Sequence, residues 1–386
     1  MANSDTVTLD LTGPQSHRLK MEPGRGNLIV GPTGSKRRRP QPDLVVDPDS
    51  PVNWHVFDDM HTGAGSNWPR WIAYEGNDTS LFEWMRERAT EGVEFLACRD
   101  LDLDLTNVKL TKLTLNPQGH RLRIRLPQTR LGLEIIGDPT LVQLSRANGD
   151  TDDLRMGISF SSDSAFNIST LSGLPYLRDM TAISIYCAVL GNDAFDCRSL
   201  LECRRLRSLT LYGAMRHLEA LARLPLLEVL QLRFVSNLAG LPELSTWPKL
   251  RNFVAWNVDE KVGRTLRQSV RRRTISDGEF FSVSQLRSQR WFIEEHGLPF
   301  GGWTTKNERT ASRAFKAASK LLRDASDTDG AKTAITGFVD VINALSGIET
   351  SERDDAGAAV SLLAELRLDL VSVDDANKWF DATRDF

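Results

Sequence analysis

Leu206-Arg207-Ser208-Leu209-Thr210-Leu211 is followed by Leu227-Glu228-Val229-Leu230-Gln231-Leu232 and by a degenerate third copy, Leu250-Arg251-Asn252-Phe253-Val254-Ala255. The copies are 21 and 23 residues apart. The second half of each alternates apolar and polar, as a strand does when one face is buried and the other wet. A unit this short cannot bury its own apolar face and has to stack on its neighbours. The stretch Met180 to Trp256 therefore predicts a repeat array around which the rest of the chain is arranged.

Weaker copies extend the pattern toward the N-terminus. Val93-Glu94-Phe95-Leu96, Leu101 to Leu105, Leu113-Thr114-Leu115, Leu122 to Leu126 and Leu133-Glu134-Ile135 all show strand periodicity. Taking Leu113, Leu133, Ile158, Ile183, Leu209, Leu230 and Phe253 as equivalent inward positions gives steps of 20, 25, 25, 26, 21 and 23 residues. Between strands run Ile168-x-x-Leu171-x-x-Leu174-Pro175, Leu218-x-x-Leu221-x-x-Leu224-Pro225 and Leu238-x-x-Leu241-x-x-Leu244. Residues three apart eclipse on a 3₁₀ turn, so each triplet predicts an inward apolar ridge that a proline then stops.

The leucine-x-x-leucine-x-leucine pattern with a period in the twenties resembles the leucine-rich-repeat family. The resemblance implies an α/β solenoid, a curved parallel sheet over about residues 95–258, and a binding surface rather than a chemistry. Where many repeats of that family carry an asparagine, this chain has Ala188, Ala214, Val235 and Val258, which predicts an apolar interior there instead of an asparagine ladder.

Composition divides the remainder. Residues 1–48, rich in Pro, Gly and charge, are expected to be flexible or extended. Residues 49–92 hold Trp54, Phe57, Trp68, Trp71, Tyr74, Phe82 and Trp84, a density that predicts an aromatic N-terminal cap with a helix starting near Thr79. After the repeats of 93–258, residues 259–303 read as a closing cap: the basic helix Lys261 to Arg273, then Phe280, Phe281, Trp291, Phe292, Phe300 and Trp303. Residues 304–386 are Ala-rich with helical periodicity over 308–324, 331–345, 351–368 and 374–384, a small helical bundle.

The 386 residues are 40% hydrophobic and 26% charged, with formal net charge −3. That composition suits a globular protein with a large core and no global field toward nucleic acid or anionic membranes. Without a signal-like start or a membrane-length apolar run, the expected location is cytoplasmic. Cys98, Cys187, Cys197 and Cys203 lack zinc-site spacing and read as reduced core thiols. Gly31-Pro32-Thr33-Gly34-Ser35-Lys36 imitates a phosphate loop but has only two residues between its glycines, where the working loop needs four. His55, Asp58, Asp59 and His61 are metal-ligand types in a loop-like string with nothing to fix their geometry. No cysteine follows Cys203 to serve as a nucleophile in the helical region, and the six histidines are scattered. No cofactor, metal or catalytic constellation is expected.

Function is expected on the outward face. The residue after the second inward position of each repeat gives the column Asn116, Ile136, Ser161, Tyr186, Tyr212, Arg233 and Trp256. Tyr, Arg and Trp are the types that dominate interface energetics. Tyr186, Tyr212, Arg233 and Trp256, with Gln231 and Phe234 beside them, are the expected contacts for another protein on a concave face; by analogy, a bacterial immunity or effector-type binder would use such a face. The alternatives are nucleic-acid binding through the basic segment 264–290, diluted by interspersed carboxylates, and an enzyme with a site around residues 28–61.

Overall fold

The computed structural model describes every residue except 1–5, 23, 35–40, 128–130, 147–156, 163–165 and 191–193. The chain divides into two units, Met1–Ser288 and Gln289–Phe386.

The first unit is built on a 12-stranded sheet. After the antiparallel pair β1 (Thr6–Leu9) and β2 (His17–Lys20), the sheet takes β3 (Asn27–Gly31), β4 (Leu44–Val45), β5 (Trp71–Glu75), β6 (Thr90–Leu96), β8 (Leu110–Asn116), β10 (Gly132–Ile136), β12 (Gly157–Ser161), β13 (Ala182–Tyr186), β15 (Ser208–Tyr212), β17 (Val229–Arg233), β18 (Asn252–Asp259) and β19 (Phe280–Arg287). Every neighbouring pair in it is parallel, and it is open, with β4 and β19 at its edges. The ladder carries one inward position through successive strands: Leu28, Ile72, Val93, Leu113, Leu133, Ile158, Ile183, Leu209, Leu230, Phe253 and Phe281. All are buried in one continuous core.

The return side changes character along the chain. In the N-terminal half it is a second parallel sheet of β7 (Leu101–Asp104), β9 (Leu122–Leu126) and β11 (Val142–Arg146). Further on come the short parallel pair β14 (Phe195–Asp196) and β16 (Met215–Arg216) and 3₁₀ turns at Pro175–Asp179, Cys197–Glu202, Leu218–Arg223 and Leu244–Thr246. Leu218, Leu221 and Leu224 bury along one such turn as expected. Ile168 and Leu171 are also buried, but the turn begins after them: Pro175 opens it, because a fixed φ suits the first helical position. Val235 and Val258 are buried in the interior, whereas Ala188 is exposed. Near Ala188 the Cys187 thiol instead donates to the carbonyls of Tyr212 and Ala214, each at 3.3 Å.

The sheet extends beyond the leucine-rich pattern at both ends. Residues expected to be extended or flexible contribute β1 to β4 and bury Leu9, Leu19, Leu28, Val30 and Leu44; their prolines and glycines mark the turns between short strands. The basic run beginning at Lys36 lies outside the described residues. Six of the seven clustered aromatics are buried, with Trp54, Phe57, Tyr74 and Trp84 in mutual ring contact around α1 (Ser80–Glu87). Trp71 is the exception and stands 40% exposed.

At the other end, the segment 259–303 divides between the two units. α2 (Glu260–Arg272), whose N-terminus is capped by Asp259, packs Leu266 and Gly263 against β19; a Cβ at 263 would meet Leu286 at 2.6 Å. α3 (Gln289–His296), Phe300 and Trp303 belong to the second unit, because Phe300 and Trp303 bury in the core of α4 (Thr305–Asp324), α5 (Thr328–Asn343), α6 (Thr350–Glu365) and α7 (Val373–Thr383). The Trp303 indole N–H donates to Asp355 at 3.0 Å.

Two predictions follow from this packing. Leu209 is fully buried between Ile183 and Leu230, so Leu209→Ala should lower urea stability by ~2–5 kcal/mol; a loss below ~1 kcal/mol would contradict the stacked core. Asp196 accepts from the backbone of Arg198 and forms an ion pair with its guanidinium at 2.6 Å, and the Arg198 hydrogen bond holds the carboxyl below its ordinary value despite burial. A depressed folded-state pKa means stability that is present above the unfolded-state value and is lost as pH falls through the folded one. Wild type should therefore lose its advantage over Asp196→Asn only below about pH 4, measured by urea titrations at stepped pH.

Candidate functional site

Side chains alternate across a strand, so the residues between the buried positions form the opposite face of the sheet. On that face the ladder aligns Ser161, Tyr186, Tyr212, Arg233, Trp256 and Ser284 in one row. The structure thus brings Tyr186, Tyr212, Arg233 and Trp256 together at equivalent places. Tyr186 and Trp256 are each 37% exposed, Arg233 is exposed, and Tyr212 is half-buried, which pushes its phenol above the ordinary tyrosine range. Gln231 sits two residues before Arg233 on the same face, and its side-chain oxygen accepts from the guanidinium at 3.1 Å.

Phe234 decides the geometry. It follows the strand with φ +53°, a left-handed conformation that is costly for a bulky side chain. The residue after the outward-row position is left-handed at Gly137, Gly213, Asn257 and Gln285 as well. Gly213 has no room for a side chain: a Cβ there would approach the Cys187 carbonyl oxygen to 2.3 Å. At Phe234 the peptide N–H still extends the ladder by donating to Trp256 at 3.0 Å, and the ring turns onto the outward face. Its centroid lies 4.9 Å from Tyr212 and 5.0 Å from Trp256, and Tyr212 lies 5.9 Å from Tyr186. Without Phe234 the row of rings would be interrupted at Arg233. With it, four rings run without a break across four strands, roughly 15 Å for three inter-strand steps.

The basic segment serves a different purpose in the fold. Arg264 pairs with Glu260 at 2.7 Å, Arg267 donates to the Val283 carbonyl, and Arg273 lies 4.1 Å over the Phe281 ring while reaching Glu279. The Arg267 and Arg273 contacts brace α2 against β19, whereas the Arg264 pair lies within α2. Lys261, Arg271 and Arg272 are exposed. At the N-terminal candidates, His55 bonds Asp58 at 2.9 Å, Asp58 accepts from the Trp84 indole at 2.7 Å, and His61 faces the Asp59 carbonyl. Among the described residues no group of three or more His, Cys, Asp or Glu is arranged to hold a metal ion. Ser35 and Lys36 of the phosphate-loop imitation lie outside the described residues. Cys187, Cys197 and Cys203 are buried free thiols whose pKa burial raises, to about 12 for Cys187 and Cys203. No described helix is long and apolar enough to cross a membrane.

Sequence reasoning missed a groove of about 470 Å³ on the same face, nearer the N-terminus, whose lining includes Trp71, Glu94, Lys112 and Glu134. The available signal was Gly92, which leaves the space that the Trp71 ring fills. No known family profile matches the chain, and neither a curated protein nor a solved structure shows significant similarity to it.

The strained Phe234 generates its own prediction. Phe234→Gly relieves a backbone cost of order 1–3 kcal/mol while removing one ring, so stability should stay within ~1 kcal/mol of wild type. Gly213→Ala should cost more than ~1 kcal/mol, because a methyl group there meets backbone. Urea denaturation of the two variants tests this; a large loss in Phe234→Gly would make the ring a core element.

Proposed function

We propose that the chain is a leucine-rich-repeat-type solenoid, non-catalytic, that holds a partner protein on its outward sheet face, with Tyr186, Tyr212, Phe234 and Trp256 as apolar anchors and Arg233, oriented by Gln231, as the charged one. The observation that carries the reading is the unbroken row of rings completed by a residue in an unfavourable backbone conformation. Buried rings would be explained by core packing. Rings on the solvent side, one of them kept at a cost in strain, are better explained by binding. Tyr, Trp and Arg give large contact area and polar handles at low entropic cost. The 15 Å span, estimated from inter-strand spacing, suits the anchor cluster of a standard interface.

Nucleic-acid binding through 264–290 is the weaker reading, since Arg264, Arg267 and Arg273 are engaged within the fold and only part of the positive charge faces outward. The two differ in salt response. A phosphate-driven complex loses affinity by orders of magnitude as salt rises, whereas an aromatic-anchored one changes little.

Changing Tyr212 and Trp256 together to alanine tests the reading. Truncation of an anchor costs on the order of 2 kcal/mol or more, so the double variant should lose at least ~30-fold in affinity for the captured partner, with Tm nearly unchanged. Unchanged affinity in a folded variant would move the partner elsewhere.

A further inference from the structure

On β13, β15, β17, β18 and β19 the ladder sets the outward positions in three rows of five, and Arg233 is the one charged residue among these fifteen. At the chain's 26% charged composition about four would be expected, and depletion of charge marks the core of a protein interface. Arg233 is exposed and forms no ion pair among the described residues; its guanidinium donates to the Gln231 side-chain oxygen at 3.1 Å and has further N–H donors to offer. The next carboxylate along these rows is Glu134, four strands from Gln231 in the ladder, where Lys112 holds it at 2.8 Å. Four inter-strand steps are roughly 19 Å, well beyond the screening length of about 8 Å, so the Arg233 charge is unanswered on its own face. Beside the row of rings runs the row Ser184, Thr210, Gln231, Val254 and Ser282, a low floor made mostly of hydroxyl and amide groups.

We propose that the occupant of this face is an extended segment of the partner protein carrying one aspartate or glutamate between apolar side chains, with its carboxylate on Arg233 and its apolar neighbours on the rings. The proposal rests on the reading of that face as a partner-binding surface. A guanidinium meets a carboxylate through parallel N–H donors, and a lone cation among rings is matched by a single negative charge. Phosphorylated segments are recognised by clusters of arginine, and a nucleic-acid strand stacked on the rings would need a positively charged groove along its backbone. Neither is met by one cation in fifteen positions. The floor decides the conformation of the segment. A helix satisfies its own backbone, whereas an extended chain has N–H and C=O groups for which the serine, threonine and glutamine side chains supply partners. The row of rings, roughly 15 Å long, spans about five residues of extended chain.

The probes are pools of blocked heptapeptides, randomised except for a fixed central aspartate, asparagine, lysine or phosphoserine. Each pool is panned on the full chain, and the sequences it yields are titrated by fluorescence anisotropy. The aspartate pool should yield the tightest binders, with apolar or aromatic residues beside the aspartate. Their affinity should fall about tenfold in Arg233→Gln and less in Arg233→Lys, which keeps the charge but not the fork. Failure of the aspartate pool to bind, equal affinity from the asparagine pool, tighter binding from the lysine or phosphoserine pool, or indifference to a folded Arg233→Gln would each overturn the proposal. The Tyr212/Trp256 double variant separates it from the reading beneath it. Peptides that lose affinity in the double variant but not in Arg233→Gln refute the carboxylate contact alone. Peptides indifferent to both refute the face as their binding site.

Discussion

Everything in the first unit depends on one constraint: the inward apolar position of each strand is buried only because the neighbouring strands bury theirs in register. Leu209 packs between Ile183 and Leu230, which in turn pack against Ile158 and Phe253. No strand of five residues could bury such a side chain alone, so the parallel ladder and the hydrophobic column stabilise each other. The outward face inherits the same register. A one-residue slip would drive Tyr186, Tyr212, Arg233 and Trp256 inward, and their common height on the sheet is a by-product of the leucines behind them.

That coupling explains how much of the fold was legible in the sequence. Leucines at steps of 20 to 26 residues are the chemical record of stacking, so the inward positions from Leu113 to Phe253 and the row from Ser161 to Trp256 follow from the sequence alone. The four C-terminal helices were legible for a similar reason, since Phe315, Leu322, Ile335, Phe338 and Val339 keep helical spacing. The N-terminal strands were not. β3 spells Asn-Leu-Ile-Val-Gly and β5 Trp-Ile-Ala-Tyr-Glu; Leu28 is the one leucine at an inward place, and Val30, Ile72 and Tyr74 fill the others, so the repeat's leucine pattern is not visible there. The split of 259–303 was also hidden, since an aromatic run does not say which core each ring joins.

The candidate face shows the same division. Residue types pointed to Tyr186, Tyr212, Arg233 and Trp256, but nothing in the identity of Phe234 announces a left-handed backbone; glycine or asparagine is the usual marker. The hint lay in the alignment of repeats, where Gly137, Gly213 and Asn257 occupy the equivalent place. Exposure of Trp71 was hidden because it depends on a space left by Gly92 in another strand.

A solvent-facing row of rings is the central claim, and its most direct test is proximity to a partner. Thr210 lies on the outward face one position inside Tyr212, whereas Arg223 lies on the return side. Replacing each in turn by the photo-crosslinker p-benzoylphenylalanine and irradiating in source-cell extract compares the two surfaces directly. The account predicts a discrete protein adduct from position 210 that disappears when Tyr212 and Trp256 are alanine, and none from position 223. Equal adducts from both positions, or an adduct confined to 223, would contradict it.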